Sequence, residues 1–313
     1  MKNIKNNHFL VLGRAGLDLY AAPPGTRTED ALAFSSALGG SAANIAVAIS
    51  KLGAMASLIS CVSDDAVGRY ILNQLKQYGV GAEHMHVVAG EARSSLAVVE
   101  TRAENCQSVI YRNGASDFEL GEEHVRKIGY ADYGALIVTG TSLAVEPSRS
   151  ATLLAMKLAG EAGLPVIIDV DYRPYSWASA SDASQVYLNA AAMCNVIIGN
   201  DVEFGVMAND GLALARKLSV DKIVIYKMGE KGSMTFTGAQ EFETGIYAVT
   251  ALKPTGAGDA FMGAFITSWA DGIDIQTCVR RGSAAAAIVV TKVGCAPAMP
   301  DANELDQFMK DHV

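Results

Sequence analysis

Lys253-Pro-Thr-Gly-Ala-Gly-Asp-Ala-Phe-Met-Gly-Ala-Phe-Ile266 decides how this chain reads. Gly256, Ala257, Gly258 and Asp259 stand just before a run of small and apolar residues with the character of a helix. Small residues let main-chain N–H groups close around an anion, and the helix N-terminus adds positive partial charge at the same point. A carboxylate held there can take a proton from an incoming hydroxyl. An anion cradle beside a base points to phosphoryl transfer onto an alcohol. The blander reading is a glycine-rich helix start capped by an aspartate. A dinucleotide fingerprint fits poorly, because Phe261 takes the place of the third glycine and the motif lies far from the first βα unit. The chain has no GxxxxGK[ST] run, so it is not a P-loop enzyme.

Outward from this stretch, short apolar runs alternate with amphipathic segments. Strand-like runs fall at 9–12, 57–62, 135–139, 166–170, 196–198 and 223–227. Helical segments fall at 42–52, 67–78, 149–161, 212–218, 259–270 and 278–291. This alternation predicts a three-layer α/β/α fold with a mostly parallel sheet covered on both faces. Two stretches, about 14–36 and 94–112, read instead as β-ribbons with no helix of their own and predict a small β-lid. Lids exclude water, which competes as acceptor in phosphoryl transfer. The expectation is one kinase-like domain over 1–313.

Half of the 313 residues are hydrophobic and 19% are charged, enough for a large core. The net charge of −8 disfavours nucleic acid as partner. The five cysteines form no CxxC pair, which points to free thiols in a reducing compartment. The stretch 1–8 lacks an apolar signal core, and no run is long enough to span a bilayer. A cytoplasmic protein is expected.

Further candidate residues cluster at the ends of predicted strands. Asp18, in Gly13-Arg-Ala-Gly-Leu-Asp-Leu-Tyr20, follows the first strand and is able to accept from two sugar hydroxyls. Gly39 and Gly40 allow close approach of a ligand, and Asn44 offers a donor and an acceptor. In Asp169-Val-Asp-Tyr-Arg-Pro-Tyr-Ser-Trp177, continuation of the strand would put Asp169, Asp171 and Arg173 on one face, with Arg173 turned to an anion. Arg112 ends a lid strand within reach of the same ligand. Asn200-Asp-Val-Glu203 reads both as a capping-box helix start and as a place for Glu203 near a magnesium-bound water. Lys227-Met-Gly-Glu-Lys-Gly232 ends a strand, and Gly229 and Gly232 either shape a turn or admit a nucleotide. His84 and His86 sit in an apparent polar connector with no third ligand.

Taken together, these motifs resemble the ribokinase/PfkB family of carbohydrate kinases, from Gly13 to Pro300 in order. The carriers are Gly39-Gly40…Asn44-Ile-Ala46 and the whole of 253–266. The resemblance implies a ribokinase-like fold, ATP as phosphoryl donor and Mg2+ as cofactor. It implies Asp259 as base and Gly256, Ala257 and Gly258 as anion hole. Asp18, Gly39, Gly40, Asn44, Arg112, Asp171 and Arg173 would face the acceptor. Asn200, Glu203, Lys227, Gly229, Gly232 and Lys253 would face the nucleotide, with Glu203 on magnesium through water. The lid implies a homodimer.

A narrower likeness is to the sugar-acid branch of the family, which includes the kinases acting on 5-dehydro-2-deoxygluconate in inositol breakdown. Its carriers are Gly13-Arg14…Asp18-Leu-Tyr20, Tyr111-Arg112, Gly140-Thr-Ser-Leu-Ala144, Pro147-Ser-Arg149 and Asp171-Tyr-Arg-Pro-Tyr-Ser-Trp177. An acid substrate on an acidic protein requires arginines, and Arg112 and Arg173 suit that need. Ser63 and Ala42 depart from the patterns of the family and of the branch, which more often carry Gly and Pro there. Lys253 stands where potassium-activated members carry Asp, so an ammonium in place of the ion predicts no monovalent-cation activation. 2-Keto-3-deoxygluconate, fructose and ribose-type sugars are rival acceptors. A non-catalytic nucleotide or sugar sensor is the rival of another class.

Overall fold

The computed structural model describes residues 4–238 and 240–312; residues 1–3, 239 and 313, with the expectations that fall on them, lie outside it. The strands are β1 (His8–Leu12), β2 (Gly16–Ala22), β3 (Ala33–Gly39), β4 (Met55–Ser63), β5 (Gly81–Val88), β6 (Ser95–Val99), β7 (Ser108–Tyr111), β8 (Ala135–Thr139), β9 (Val166–Asp169), β10 (Val196–Asn200), β11 (Ile223–Lys227), β12 (Ser233–Thr237) and β13 (Gln240–Thr244). The helices are α1 (Ser41–Lys51), α2 (Ala66–Gln77), α3 (Glu122–Val125), α4 (Ser148–Glu161), α5 (Ala180–Met193), α6 (Asp201–Met207), α7 (Gly211–Leu218), α8 (Ala257–Ala270), α9 (Ile275–Val290) and α10 (Ala302–Asp311).

Nine strands form one sheet in the order β13-β12-β11-β10-β9-β8-β1-β4-β5. It is parallel from β11 to β5 and antiparallel only at β12 and β13. The chain runs outward from β1 in one direction through β4 and β5, then returns to β8 and runs the other way. The point of reversal lies between β1 and β8, where open α/β sheets place their ligands beyond the carboxyl ends of the strands.

Alternation along β1 builds both faces of the core. Phe9 and Val11 join the cluster that holds α1, α8 and α9. Leu10 and Leu12 point the other way, into the cluster that holds α4 and α5. On the first face Gly263 is where α8 approaches α1 closely. A methyl there would collide with Ala48 of α1. This contact brings the N-termini of α1 and α8 together.

The two ribbons form a separate four-stranded sheet, β3-β2-β6-β7, in which β6 and β7 of the second ribbon pair antiparallel. Its inner face buries Tyr20, Ala37, Ala97 and Val99. Two sequence expectations need correction. The strand through Asp169 does not continue: Asp171 takes a left-handed backbone, φ 41°, which turns the chain out of the sheet. His84 and His86 sit on edge strand β5, not in a connector. An edge strand has a neighbour on one side only, so its side chains remain polar and its apolar alternation is faint. Helices α5 and α10 also went unread, one alanine-rich and one short and mostly polar.

Candidate active site

The carboxyl ends of β1, β8, β9, β10 and β11 open on a cavity of about 500 Å³, and the lid sheet forms its far wall. Helix α8 enters from below. Its N-cap, Gly256, has φ 85°, a conformation that favours glycine, and no side chain caps the helix. Helical bonding begins with the Ala260 N–H on the Gly256 carbonyl, 3.0 Å, so the first-turn amides have no intrahelical acceptor. Gly256, Gly258 and Asp259 line the cavity.

Asp259 accepts a hydrogen bond from Asn44 Nδ2 at 2.9 Å. Burial pushes its carboxyl up to about 8, and the nearby negative charges of Asp171 and Asp169 add to the shift. The Asn44 bond and Arg173 oppose it. Asp259 is therefore poised near neutrality, where a general base works well.

Asp18 and Asn44 lie on the same cavity wall. The Tyr20 hydroxyl donates to Asp18 Oδ2 at 3.1 Å, while Asp18 Oδ1 and Asn44 Oδ1 are buried with no partner. Two orphaned acceptors at a cavity wall call for a ligand that brings hydroxyl donors. Gly39 packs under the Asp18 carboxylate, where any side chain would collide with it. Gly40, φ 98°, is forced by the Arg14 carbonyl in the same way.

On the opposite side Asn200 and Glu203 form the reciprocal capping box at the start of α6. Glu203 Oε2 accepts from the Asn200 N–H at 2.7 Å, and Asn200 Oδ1 accepts from the Glu203 N–H at 2.9 Å. The capping reading holds while Glu203 still lines the cavity. Burial pushes the Glu203 carboxyl up to about 7, opposed by Lys227. Asp169, also raised by burial, lies 3.8 Å from Lys227 Nζ. That ammonium would sit 3.4 Å from a Cβ on Gly258, so it borders the anion loop. Two hard, desolvated carboxylates suit a Mg2+ ion that keeps its own waters and ligand phosphates. No cluster of three or more His, Cys, Asp or Glu residues suited to a metal occurs among the described residues.

The two arginines expected to meet an anionic substrate both border the cavity, but carboxylates already engage them. Arg112 pairs with Asp117, donates to the Thr141 carbonyl at 3.0 Å and stacks 4.1 Å over Phe118. Arg173 pairs with Asp171 at 2.5 Å, and Asp171 also accepts from Ser41 Oγ at 2.5 Å. Gly229 and Gly232 shape the β11–β12 turn with positive φ and do not line this cavity. Lys253 is fully buried beneath the anion loop, donating to the carbonyls of Thr255 at 2.6 Å and Val289 at 3.3 Å.

The sequence profile of the pfkB family carbohydrate kinases matches residues 6–302. The chain belongs to that family. It is 42% identical over 311 residues to a 5-dehydro-2-deoxygluconokinase from Photobacterium profundum, covering 96% of this chain and 94% of that one. It is 36% identical over 313 residues to a protein of the same name from Bacillus thuringiensis, with the same coverage. Among solved structures, a fructokinase from Xylella fastidiosa with bound ATP superposes with a TM-score of 0.87 at 22% identity, over 98% of this chain and 99% of that one. A Vibrio cholerae fructokinase with fructose, ADP and potassium gives 0.86 at 23% identity, with the same coverage. These likenesses place the fold, and the family makes the chain a sugar phosphotransferase. No helix among the described residues is long and apolar enough to cross a membrane.

Among the cavity-lining residues that the motifs did not assign to a ligand are two charged ones: Asp169 ends β9 and Arg14 follows β1. Their signal was position, since each charged side chain stands at or just past the carboxyl end of a buried parallel strand.

The raised Asp259 carboxyl has a consequence for stability. Unfolded, it titrates near 3.9. Folded, it holds its proton to about 8. Its contribution is fully present below the unfolded value and is lost as pH rises through about 8. Asp259→Asn should therefore match the wild type in thermal stability near pH 4 and exceed it increasingly up to pH 9. Scanning calorimetry across that range checks this; an advantage that is flat or shrinks with pH contradicts it.

Proposed function

We propose that the chain transfers the γ-phosphoryl group of ATP to the primary hydroxyl of 5-dehydro-2-deoxygluconate. The family supports the transfer, and the two named relatives support the acceptor. The observation that carries the chemistry is Asp259, a carboxyl tuned to about 8 at the mouth of an uncapped helix. Orphaned Asp18 Oδ1 and Asn44 Oδ1 accept the sugar hydroxyls. Asp259 takes the proton of the attacking hydroxyl. The first-turn amides of Ala257, Gly258 and Asp259, with Lys227 beside them, stabilise charge on the transferred group.

Glu203 and Asp169 would hold Mg2+, Glu203 through a water, and Asn200 keeps Glu203 aimed; the ion would supply positive charge against the phosphates. Gly229 and Gly232 give a turn close to the outer part of the nucleotide. Arg112 and Arg173, through Asp117 and Asp171, keep the acceptor side of the cavity rigid. Lys253 takes the part of a monovalent ion, its ammonium tying the anion loop to the end of α9. We also infer a dimer through the lid. Val109 and Tyr111, 47% and 62% exposed on β7, leave an apolar outer strand face that a second copy would cover. The five free thiols agree with a cytoplasmic setting.

Three outcomes follow from this reading. In an ATP-consumption assay the sugar acid should exceed 2-keto-3-deoxygluconate, fructose and ribose by at least about tenfold in kcat/KM, and Asp259→Asn should lower kcat roughly 10²–10⁴-fold with KM little changed. Equal use of neutral sugars, or full turnover by the variant, refutes it. Turnover should be the same in sodium, potassium or an organic cation; stimulation by potassium would contradict the role of Lys253. Sedimentation should give a dimer that Val109→Asp with Tyr111→Asp converts to monomer, whereas a wild-type monomer contradicts the lid contact.

A further inference from the structure

The cavity holds five basic side chains in or beneath its wall, and four have an evident counterpart. Arg112 has Asp117, Arg173 has Asp171, Lys227 has Asp169, and Lys253 has two carbonyl oxygens. Arg14 differs. It is 8% exposed and lines the cavity, and its side chain donates to the neutral hydroxyl of Ser95 at 3.1 Å. No carboxylate among the described residues comes within ion-pair distance of it. A guanidinium cannot shed its charge, and a buried one without an anion carries an uncompensated desolvation cost. Burial raises the Asp18 carboxyl above the usual carboxylate range and the Arg14 charge opposes that rise, yet Asp18 gives one oxygen to Tyr20 and keeps the other unpartnered.

We propose that Arg14 receives the carboxylate of the substrate and so sets the preference of the site for a sugar acid. This rests on the sugar-acid reading above and names the residue that enforces it. The side chain is held for the task. Ser95, fully buried at the start of lid strand β6, fixes Nη1, and Gly16 leaves room for it, since a Cβ there would come within 2.9 Å of Nη1. The remaining guanidinium donors form a planar fork that matches a carboxylate. A six-carbon acid bound by its carboxylate at Arg14 offers its hydroxyls to Asp18 and Asn44. Its far hydroxyl then lies toward Asp259, to which Asn44 is bonded. The acid end thus fixes which hydroxyl is phosphorylated. Arg14 also joins the lid to the site, because its partner Ser95 belongs to the lid sheet.

The test compares 5-dehydro-2-deoxygluconate with its primary amide, which has nearly the same shape and no charge. For the wild type the ratio of kcat/KM, acid over amide, should be about 10² or more, and Arg14→Gln should bring it close to one, mainly through KM for the acid. Arg14→Lys keeps the charge but not the fork, and should fall between them. A wild type that does not favour the acid overturns the sugar-acid reading itself. A wild type that favours it while Arg14→Gln keeps the ratio overturns the role of Arg14 alone. If Arg14→Gln does not fold, Arg14→Lys decides: equal losses on acid and amide mean a structural role and refute the proposal.

Discussion

One hydrogen bond, from Asn44 Nδ2 to Asp259 Oδ2 at 2.9 Å, joins the starts of two helices 215 residues apart in the chain. It requires α1 and α8 to begin at the same point beyond the carboxyl ends of the sheet. Gly263 makes that possible by letting α8 lie directly on Ala48 of α1. With the two helix starts together, Asp18, Asn44, Asp259 and the Gly256–Gly258 turn share one cavity. A bulkier contact between the helices would separate Asp259 from Asn44.

The charges around that bond are arranged as a set. Asp259, Glu203 and Asp169 are each raised by burial, Asp259 to about 8 and Glu203 to about 7. Lys227 lies among them and moderates the cost of bringing them together. A cation or phosphate placed among these groups would shift their ionisation. Asp171, in a left-handed backbone held by Ser41 and Arg173, ties the end of β9 to the start of α1. Strained residues of this kind persist where neighbours over-determine them, commonly at sites.

Much of this was legible in the chain. Buried parallel strands such as 135–139 and 223–227 are continuous apolar runs, and the glycines at 39–40 and 256–258 mark both helix starts. The capping box at Asn200 and Glu203 was readable from its spacing. Illegible parts have physical causes. Edge strand β5 and the antiparallel β12 and β13 lack the full burial that writes a strand into sequence. The pairing of Arg112 with Asp117 and of Arg173 with Asp171 depends on tertiary geometry, which motifs read one at a time do not carry. The turn at Asp171 broke a strand that local pattern would have continued.

The most direct test of the central claim is the pH dependence of phosphoryl transfer at low concentrations of both substrates, which reports on the free enzyme. A base tuned by burial predicts a rate with a rising limb near pH 8 that is absent in Asp259→Asn. A wild-type rate that is level from pH 5 to 9, or a limb that survives in the variant, would contradict the account.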